Sequence, residues 1–260
     1  VQRLADAGHT VTGFDVRRDR GQDITVLPAL HNACQDVEIV VHTAAIPHPN
    51  KGDLTCYHAI NVMGTLNVLL AAHRAGVRRV VYTSSTGFYG CDIQGRLLPA
   101  YLPIDERHPI AMTPGCSTGA LDAYNQSKVM AEALLAWYGT QRCLETVVLR
   151  IAPANTKAEQ YRPDLTWDCY TDWRRGALFC NCHPDYAADA LVLATLAEGP
   201  FWYEVFNVVD AYTHQQIDAR AFAQKYFGVE PAEHWQPGES LISSHKLRYT
   251  LGWSPCEDVE

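Results

Sequence analysis

Residues 37–83 read VEIVVHTAAIPHPNKGDLTCYHAINVMGTLNVLLAAHRAGVRRVVYT, and this stretch decides the fold. Val37 to His42 is a short, nearly continuous apolar run, the form of a strand buried on both faces. Residues 55–75 predict a helix, with Gly76 placed to close it. Arg79-Val80-Val81-Tyr82-Thr83 is a second buried strand. A strand, a long helical crossover and a second strand make the repeating unit of a parallel sheet.

The same rhythm continues on both sides. Downstream, Tyr124 to Tyr138 predicts a helix with Val129, Met130, Ala133, Leu134 and Trp137 on related faces. Thr146 to Arg150 is a further strand. After Arg150 the pattern becomes polar and aromatic over 153–180, with Trp167 and Trp173. A helix returns near 186–197 and a strand near 203–209. Thr213 and Gln216 have capping-box spacing, opening a helix that runs through Phe227. Upstream, Val1, Leu4 and Ala5 share a helical face and Gly8 sits at its stop. His9 to Asp15 then reads as a strand ending in a carboxylate. The fold class is α/β, a doubly wound parallel, Rossmann-like sheet, with a small C-terminal lobe.

Composition bounds the function. Lys and Arg number 21 against 29 Asp and Glu, a net charge of −8. With no basic run, neither nucleic acid nor an anionic membrane is an expected partner. No apolar stretch of the sequence approaches the 18 or so residues that span a bilayer. The nine cysteines are odd in number and scattered, which fits reduced thiols in a cytoplasm better than a disulfide framework.

Two stretches carry chemistry. In Tyr124-Asn125-Gln126-Ser127-Lys128, four helical residues turn the chain by about 40° past a full turn, so phenol and ammonium share a face. An ammonium nearby favours phenolate and makes a tyrosine a usable acid/base near neutrality. The strand at 79–83 runs into Ser84-Ser85-Thr86-Gly87-Phe88-Tyr89-Gly90. Strand ends line the ligand side of an open parallel sheet, and a hydroxyl cluster there can hold a substrate oxygen. Taken singly, an ordinary surface pair and a polar turn are the better explanations of these stretches.

The order of motifs goes further. GFDVRRD, GQDI, VVHTAAIPHP, INVMGTLNVLLAA, VVYTSSTGFYG, PIDERHP, YNQSK, VVLRIAPAN, EVFNVVD and LGWSP follow one another over nearly the whole chain. In this the chain resembles the extended short-chain dehydrogenase/reductase family, in its NAD-dependent epimerase/dehydratase branch. The resemblance implies Tyr124 as catalytic acid/base, Lys128 as the lysine that binds the nicotinamide ribose, and Ser85 as the hydroxyl on the reacting substrate oxygen. Asn61 matches the asparagine that supports the site, and Ala44 and Ala45 the small residues where the cofactor approaches. Pro153 falls near the nicotinamide; Thr86, His48 and Asn155 fall on the substrate side. Asp23 and Ile24 match the pair that flanks the adenine. Asp15 ends its strand where a carboxylate accepts both adenosine ribose hydroxyls and repels a 2′-phosphate, so NAD is favoured over NADP. Arg17 and Arg18 pull the other way.

The resemblance divides the chain into a dinucleotide-binding domain at 1–152 and, mostly, a substrate lobe at 153–260. It also implies a strand and a Gly-rich turn just ahead of Val1. Roughly 10–20 further upstream residues are therefore expected, and without them dinucleotide binding should be poor.

Four signals read as structural. Cys180-Asn181-Cys182-His183 lacks the second cluster a zinc site needs, so no metal is expected. Trp167 and Trp173 suit packing of the lobe. Glu106 suits a cap or a pairing role, and His42 a strand end. The expected function is hydride transfer between NAD and a hydroxyl-bearing carbon of a small-molecule substrate, a sugar or sugar acid. The 110 residues after Arg150 are short for a large nucleotide-sugar lobe. The alternatives are a nucleotide-sugar 4-epimerase and, from another class, a dinucleotide-sensing binding protein without turnover. A homodimer is compatible with the resemblance.

Overall fold

The structure is a computed structural model of the chain. It describes residues 1–47, 53–89, 98–109, 120–155, 178, 180–211, 219–233, 235–236 and 239–255. The elements in order are α1 (Gln2–Asp6), α2 (Leu27–Ala33), β1 (Ile39–His42), α3 (Leu54–Tyr57), a π-helical segment His58–Met63, α4 (Gly64–Ala75), β2 (Arg79–Ser85) and a 3-10 turn Thr86–Tyr89. They continue with α5 (Ala120–Thr140), β3 (Glu145–Ile151), α6 (Pro184–Leu196), β4 (Glu204–Val208), α7 (Ala219–Phe227) and α8 (His245–Leu251). The strands form one sheet in the order β1-β2-β3-β4, and β1 pairs with β2 in parallel, Ile39 opposite Arg79 and His42 opposite Tyr82. The parallel α/β sheet expected from residues 37–83 is present.

By compactness the chain divides into two units. The first is Val1–Thr83, Thr118–Val148 and Leu191–Glu204; the second is Ser84–Ser117, Leu149–Ala190 and Val205–Glu260. The divisions fall inside strands and helices.

In the first unit, α3, the π segment and α4 form one continuous helix. Asp53 caps it, accepting the Cys56 N–H at 2.9 Å. Gly76 ends it with φ of +75°, a left-handed conformation that glycine adopts without strain. This helix, Leu54–Ala75, is 22 residues long and by length and composition alone could cross a membrane. That departs from the expectation that no such stretch exists. It is a core helix here: Tyr57, Val68, Leu69, Ala71 and Ala72 are all buried. Arg79 opens β2 fully buried. Its guanidinium pairs with Glu145 at 2.6 Å and donates to the carbonyls of Ala194, Ala197 and Gly199 at the end of α6, so every part of the buried charge has a partner. Gly139 lets α5 approach residue 202: a Cβ there would collide with the Trp202 carbonyl oxygen.

One expectation needs correction. Residues 9–15 form no strand; they run as irregular, largely exposed backbone. A strand exists only by bonding to a neighbour, and in the order β1-β2-β3-β4 none of the described strands lies on the free side of β1. On α5, Met130 and Trp137, two of the residues expected on related faces, are 45% and 66% exposed. The buried face is Ala123, Ser127, Lys128, Ala131, Glu132 and Leu135. It keeps the 3.6-residue period but is half polar, so a search for apolar residues selects the wrong stripe.

In the second unit, the Arg150 guanidinium lies 3.5 Å from the centre of the Phe88 ring and donates to the Tyr89 hydroxyl at 3.1 Å. Tyr89 donates to Asn207 Oδ1 at 2.6 Å, and the Asn207 N–H donates to Glu106 Oε1 at 2.8 Å. Glu106 therefore has the pairing role read from its sequence.

Candidate active site

The site is built at the C-terminal ends of β1 and β2. Asn61 lies in the π-helical segment, where the wider turn disrupts the regular helical ladder; such segments often mark functional positions. Its carbonyl accepts from Thr65 Oγ1 at 2.6 Å. Its side chain works in two directions. Oδ1 accepts the Ile46 N–H at 2.8 Å, while Nδ2 donates to Ser127 Oγ at 2.9 Å and to the Ile46 carbonyl at 3.3 Å. Ser127 passes the link on, donating to the Tyr124 carbonyl at 2.7 Å. One buried amide thus fixes the loop after β1, which carries Ala44 and Ala45, against the turn of α5 that carries Tyr124 and Lys128.

Lys128 is 3% exposed. Its Nζ donates to the Thr83 carbonyl at 2.9 Å, and lies 4.9 Å from the centre of the Tyr82 ring and 5.9 Å from that of Tyr124. Burial pulls its pKa down to about 8, against the opposing pull of the Glu132 carboxylate. Tyr124 itself is half-buried, and its ring meets Tyr57 edge-on at 6.3 Å between centroids.

Behind this pair lies His42, buried, with Nε2 at 3.0 Å from Thr65 Oγ1 and its ring 5.4 Å from Tyr82. Burial first, and the Lys128 charge second, depress its pKa from 6.5 to about 3, so it is neutral at physiological pH. Between those values the unfolded chain binds a proton that the folded chain refuses. This contribution to stability is complete above pH 6.5 and is lost as pH falls toward 3, at about 1.4 kcal/mol per unit. We expect urea unfolding at pH 4.5 to show a stability lowered by a few kcal/mol from pH 7, and His42→Gln to flatten that difference. An equal pH dependence in the variant would contradict it.

The remaining residues separate into groups. Ile24 is buried against α4, whose Gly64 leaves it room: a Cβ at Gly64 would meet Ile24 Cδ1 at 2.5 Å. Asn67 holds the Ile24 carbonyl at 3.1 Å, and Asp23 closes its own turn by accepting the Thr25 N–H at 2.9 Å. Asp15 is engaged by Arg17, whose Nη2 lies 3.0 Å from Oδ2 and whose N–H donates to Oδ1 at 2.9 Å. Those bonds hold the Asp15 carboxyl below its usual pKa.

In the second unit, Ser85 closes β2 and its Oγ accepts the Gly87 N–H at 3.1 Å, a role that leaves a hydroxyl able to donate. Thr86 is buried in the following turn. Pro153 and Asn155 are tied to Cys182: the Pro153 carbonyl accepts the Cys182 N–H at 3.1 Å and Asn155 donates to the Cys182 carbonyl at 3.2 Å. His48, Trp167, Trp173, Thr213 and Gln216 lie outside the described residues. Cys180 and Cys182 are buried, and burial raises both thiols, Cys180 to about 11. Among the described residues no three His, Cys, Asp or Glu side chains gather as a metal site.

Sequence reading passed over Thr65, Tyr82, Ser127 and Glu132. Ser127 and Glu132 were detectable as polar members of the helical period that contains Lys128. Tyr82 and Thr65 carry no pattern of their own.

Small residues at 44 and 45, a buried lysine beside a tyrosine, and a carboxylate at 15 are of the residue types that suit a dinucleotide. Over 132 residues the chain is 33% identical to a putative UDP-glucose 4-epimerase of Methanocaldococcus jannaschii, covering 50% of this chain and 38% of that protein. Over 116 residues it is 34% identical to the decarboxylating sterol-4-alpha-carboxylate 3-dehydrogenase erg26 of Schizosaccharomyces pombe, covering 44% and 29%. The matched stretches thus span about a third of these relatives' length. Among solved structures, a short-chain dehydrogenase/reductase superfamily protein from Agrobacterium tumefaciens with bound NAD superposes with a TM-score of 0.65 at 22% identity, over 97% of this chain and 87% of that one, and shares the fold. The profile of the NAD dependent epimerase/dehydratase family matches residues 1–158, more than half of the chain, and the chain belongs to that family.

Proposed function

We propose that the protein is an NAD-dependent oxidoreductase acting on a hydroxyl-bearing carbon of a sugar or sugar derivative. The observation that carries this reading is Lys128, buried, pinned to the Thr83 carbonyl and set beside the Tyr124 ring at the ends of the strands. When bound, NAD supplies hydride acceptance at its nicotinamide. The chain's own residues do the rest. Tyr124 moves the hydroxyl proton, Ser85 holds the reacting oxygen, Lys128 binds the nicotinamide ribose, and Asn61 fixes the loop of Ala44 and Ala45. Thr86, His48 and Asn155 are assigned to the substrate, and Asp23, Ile24 and Pro153 to the cofactor. The similarity to a protein named as a putative UDP-glucose 4-epimerase favours a second reading, epimerisation of a nucleotide sugar. Retention of both Tyr124 and Lys128 speaks against a sensor without turnover, which has no use for an acid/base pair. The test is incubation of the protein with NAD and a panel of sugars, sugar acids and nucleotide sugars. NADH accumulation means dehydrogenase, an isomer without net NADH means epimerase, and binding without either overturns the enzymatic reading.

NAD rather than NADP is part of the proposal. Arg17 occupies the Asp15 carboxylate that would accept the ribose diol. Arg17→Ala is expected to raise the ratio of NAD to NADP affinity several-fold, measured by binding of each dinucleotide. An unchanged ratio would remove Arg17 from cofactor selection. A cytoplasmic, reducing location is also proposed, in keeping with the free thiols of Cys34, Cys56, Cys143, Cys180 and Cys182. So is a homodimer, through the exposed Met130–Trp137 face of α5. Light scattering should give twice the chain mass, and Trp137→Glu should give the single mass; a monomeric wild type would rule it out.

A further inference from the structure

The turn that follows Ser85 is held from beyond itself. Tyr89, which ends it, is 1% exposed. Its hydroxyl donates to Asn207 Oδ1 on β4 at 2.6 Å, with the Asp105 carbonyl a longer second acceptor at 3.2 Å. The same oxygen accepts from Arg150 Nη1, near the end of β3, at 3.1 Å. Both roles of one hydroxyl are thus filled, and burial pushes the phenol upward, so it keeps the proton it donates. We propose that Tyr89 is a positioning residue for Ser85: by tying the Thr86–Tyr89 turn to β3 and β4, its hydroxyl sets where the Ser85 hydroxyl points. The catalytic meaning of this link rests on the proposed role of Ser85 at the reacting oxygen.

The contacts run from the anchor back to the serine. Arg150 is buried, with its guanidinium 3.5 Å from the centre of the Phe88 ring and 5.0 Å from that of Tyr89. It also donates to the Glu106 carbonyl at 3.3 Å, and Glu106 Oε1 accepts the Asn207 N–H at 2.8 Å, so both partners of the Tyr89 hydroxyl are themselves fixed. Phe88 and Tyr89 meet edge-on at 5.7 Å between ring centroids, and Tyr89 meets the buried His108 ring edge-on at 5.8 Å. Gly87 lies between these rings and Ser85 in the chain, and its N–H donates to Ser85 Oγ at 3.1 Å. That bond occupies an acceptor position of the serine oxygen and leaves the serine proton for a substrate, so the direction of that proton follows from where Gly87 is held. A phenylalanine at 89 would serve packing alone; the hydroxyl adds direction.

The link can be measured without substrate or cofactor. In a protein carrying carbon-13 at threonine carbonyls and nitrogen-15 in glycine, the coupled amide signals are those of Gly13, Gly87 and Gly119, the glycines that follow a threonine. Thr86→Ser identifies Gly87 by its loss. In the wild type the Gly87 N–H should exchange with solvent about tenfold or more slower than in an unstructured chain. Exchange at the unstructured rate would overturn the proposal with no variant needed. In Tyr89→Phe, which keeps the ring, Gly87 exchange should rise about tenfold while the amides of β3 stay within about threefold of wild type, which separates a loosened turn from a loosened fold. Unchanged Gly87 exchange in this variant, or a rise shared equally by β3, would contradict the proposal. On a substrate found in the sugar panel, Tyr89→Phe should lower kcat about tenfold with the KM for NAD unchanged. An unchanged kcat would count against it in the same way. If the Gly87 amide loosens and no sugar is oxidised, the link between Tyr89 and Ser85 stands and the proposed reaction fails.

Discussion

Tyr124→Phe is expected to abolish turnover while leaving NAD affinity within a few-fold of the wild type. The phenol's task is to move a proton, and losing a positioned general acid/base typically costs about 10²–10⁴ in rate. The ring is retained in Phe, so the edge contact with Tyr57 and the approach of Lys128 are preserved. Dinucleotide binding has little reason to change. Lys128→Ala should differ in kind. It removes a proposed ribose contact together with the bond to the Thr83 carbonyl, so affinity and rate should both fall. The measurements are steady-state rate and NAD binding on each variant. Near-wild-type turnover by Tyr124→Phe would show the assignment of the acid/base to be wrong.

Asn61→Ala is expected to be the most damaging substitution outside that pair. Its amide makes three bonds, to the Ile46 N–H, the Ile46 carbonyl and Ser127 Oγ. Alanine can replace none of them, and each buried partner left unsatisfied costs about 1–3 kcal/mol. A loss of about 2–5 kcal/mol would consume much of a typical stability of about 5–15 kcal/mol. Asn61→Asp is the informative companion. A carboxylate can still accept from Ile46 but cannot donate to Ser127, so it should fall between wild type and alanine. Thermal or urea unfolding decides this. Equal stability of Asn61→Ala and wild type would mean that the loop after β1 is held by something else.

The sheet was legible because residues 37–42 and 79–83 are apolar runs on either side of a helix closed by Gly76, and no other common arrangement buries such runs. Tyr124, Lys128 and Asn61 were legible as motif positions. The strand expected at 9–15 was misread because its pattern is local, whereas a strand depends on a neighbour that pattern cannot supply. The buried face of α5 was not legible because Ser127, Lys128 and Glu132 are polar and buried together, and hydrophobic periodicity assigns such residues to solvent. Arg79 was absorbed into an apolar run although it is a buried charge, satisfied by Glu145 and by carbonyls about 115–120 residues further along the chain. Polar groups that compensate one another inside the protein leave no trace in a scan for apolar residues.

The most direct test of the proposed reaction is isotopic. A substrate found in the sugar panel is prepared with deuterium at the carbon bearing the reacting hydroxyl and incubated with the protein and NAD. The expected result is deuterium carried to nicotinamide C4 in the wild-type reaction and none in Tyr124→Phe with NAD still bound. Conversion of the labelled substrate with no deuterium reaching the nicotinamide, or label transfer undiminished in Tyr124→Phe, would contradict the account.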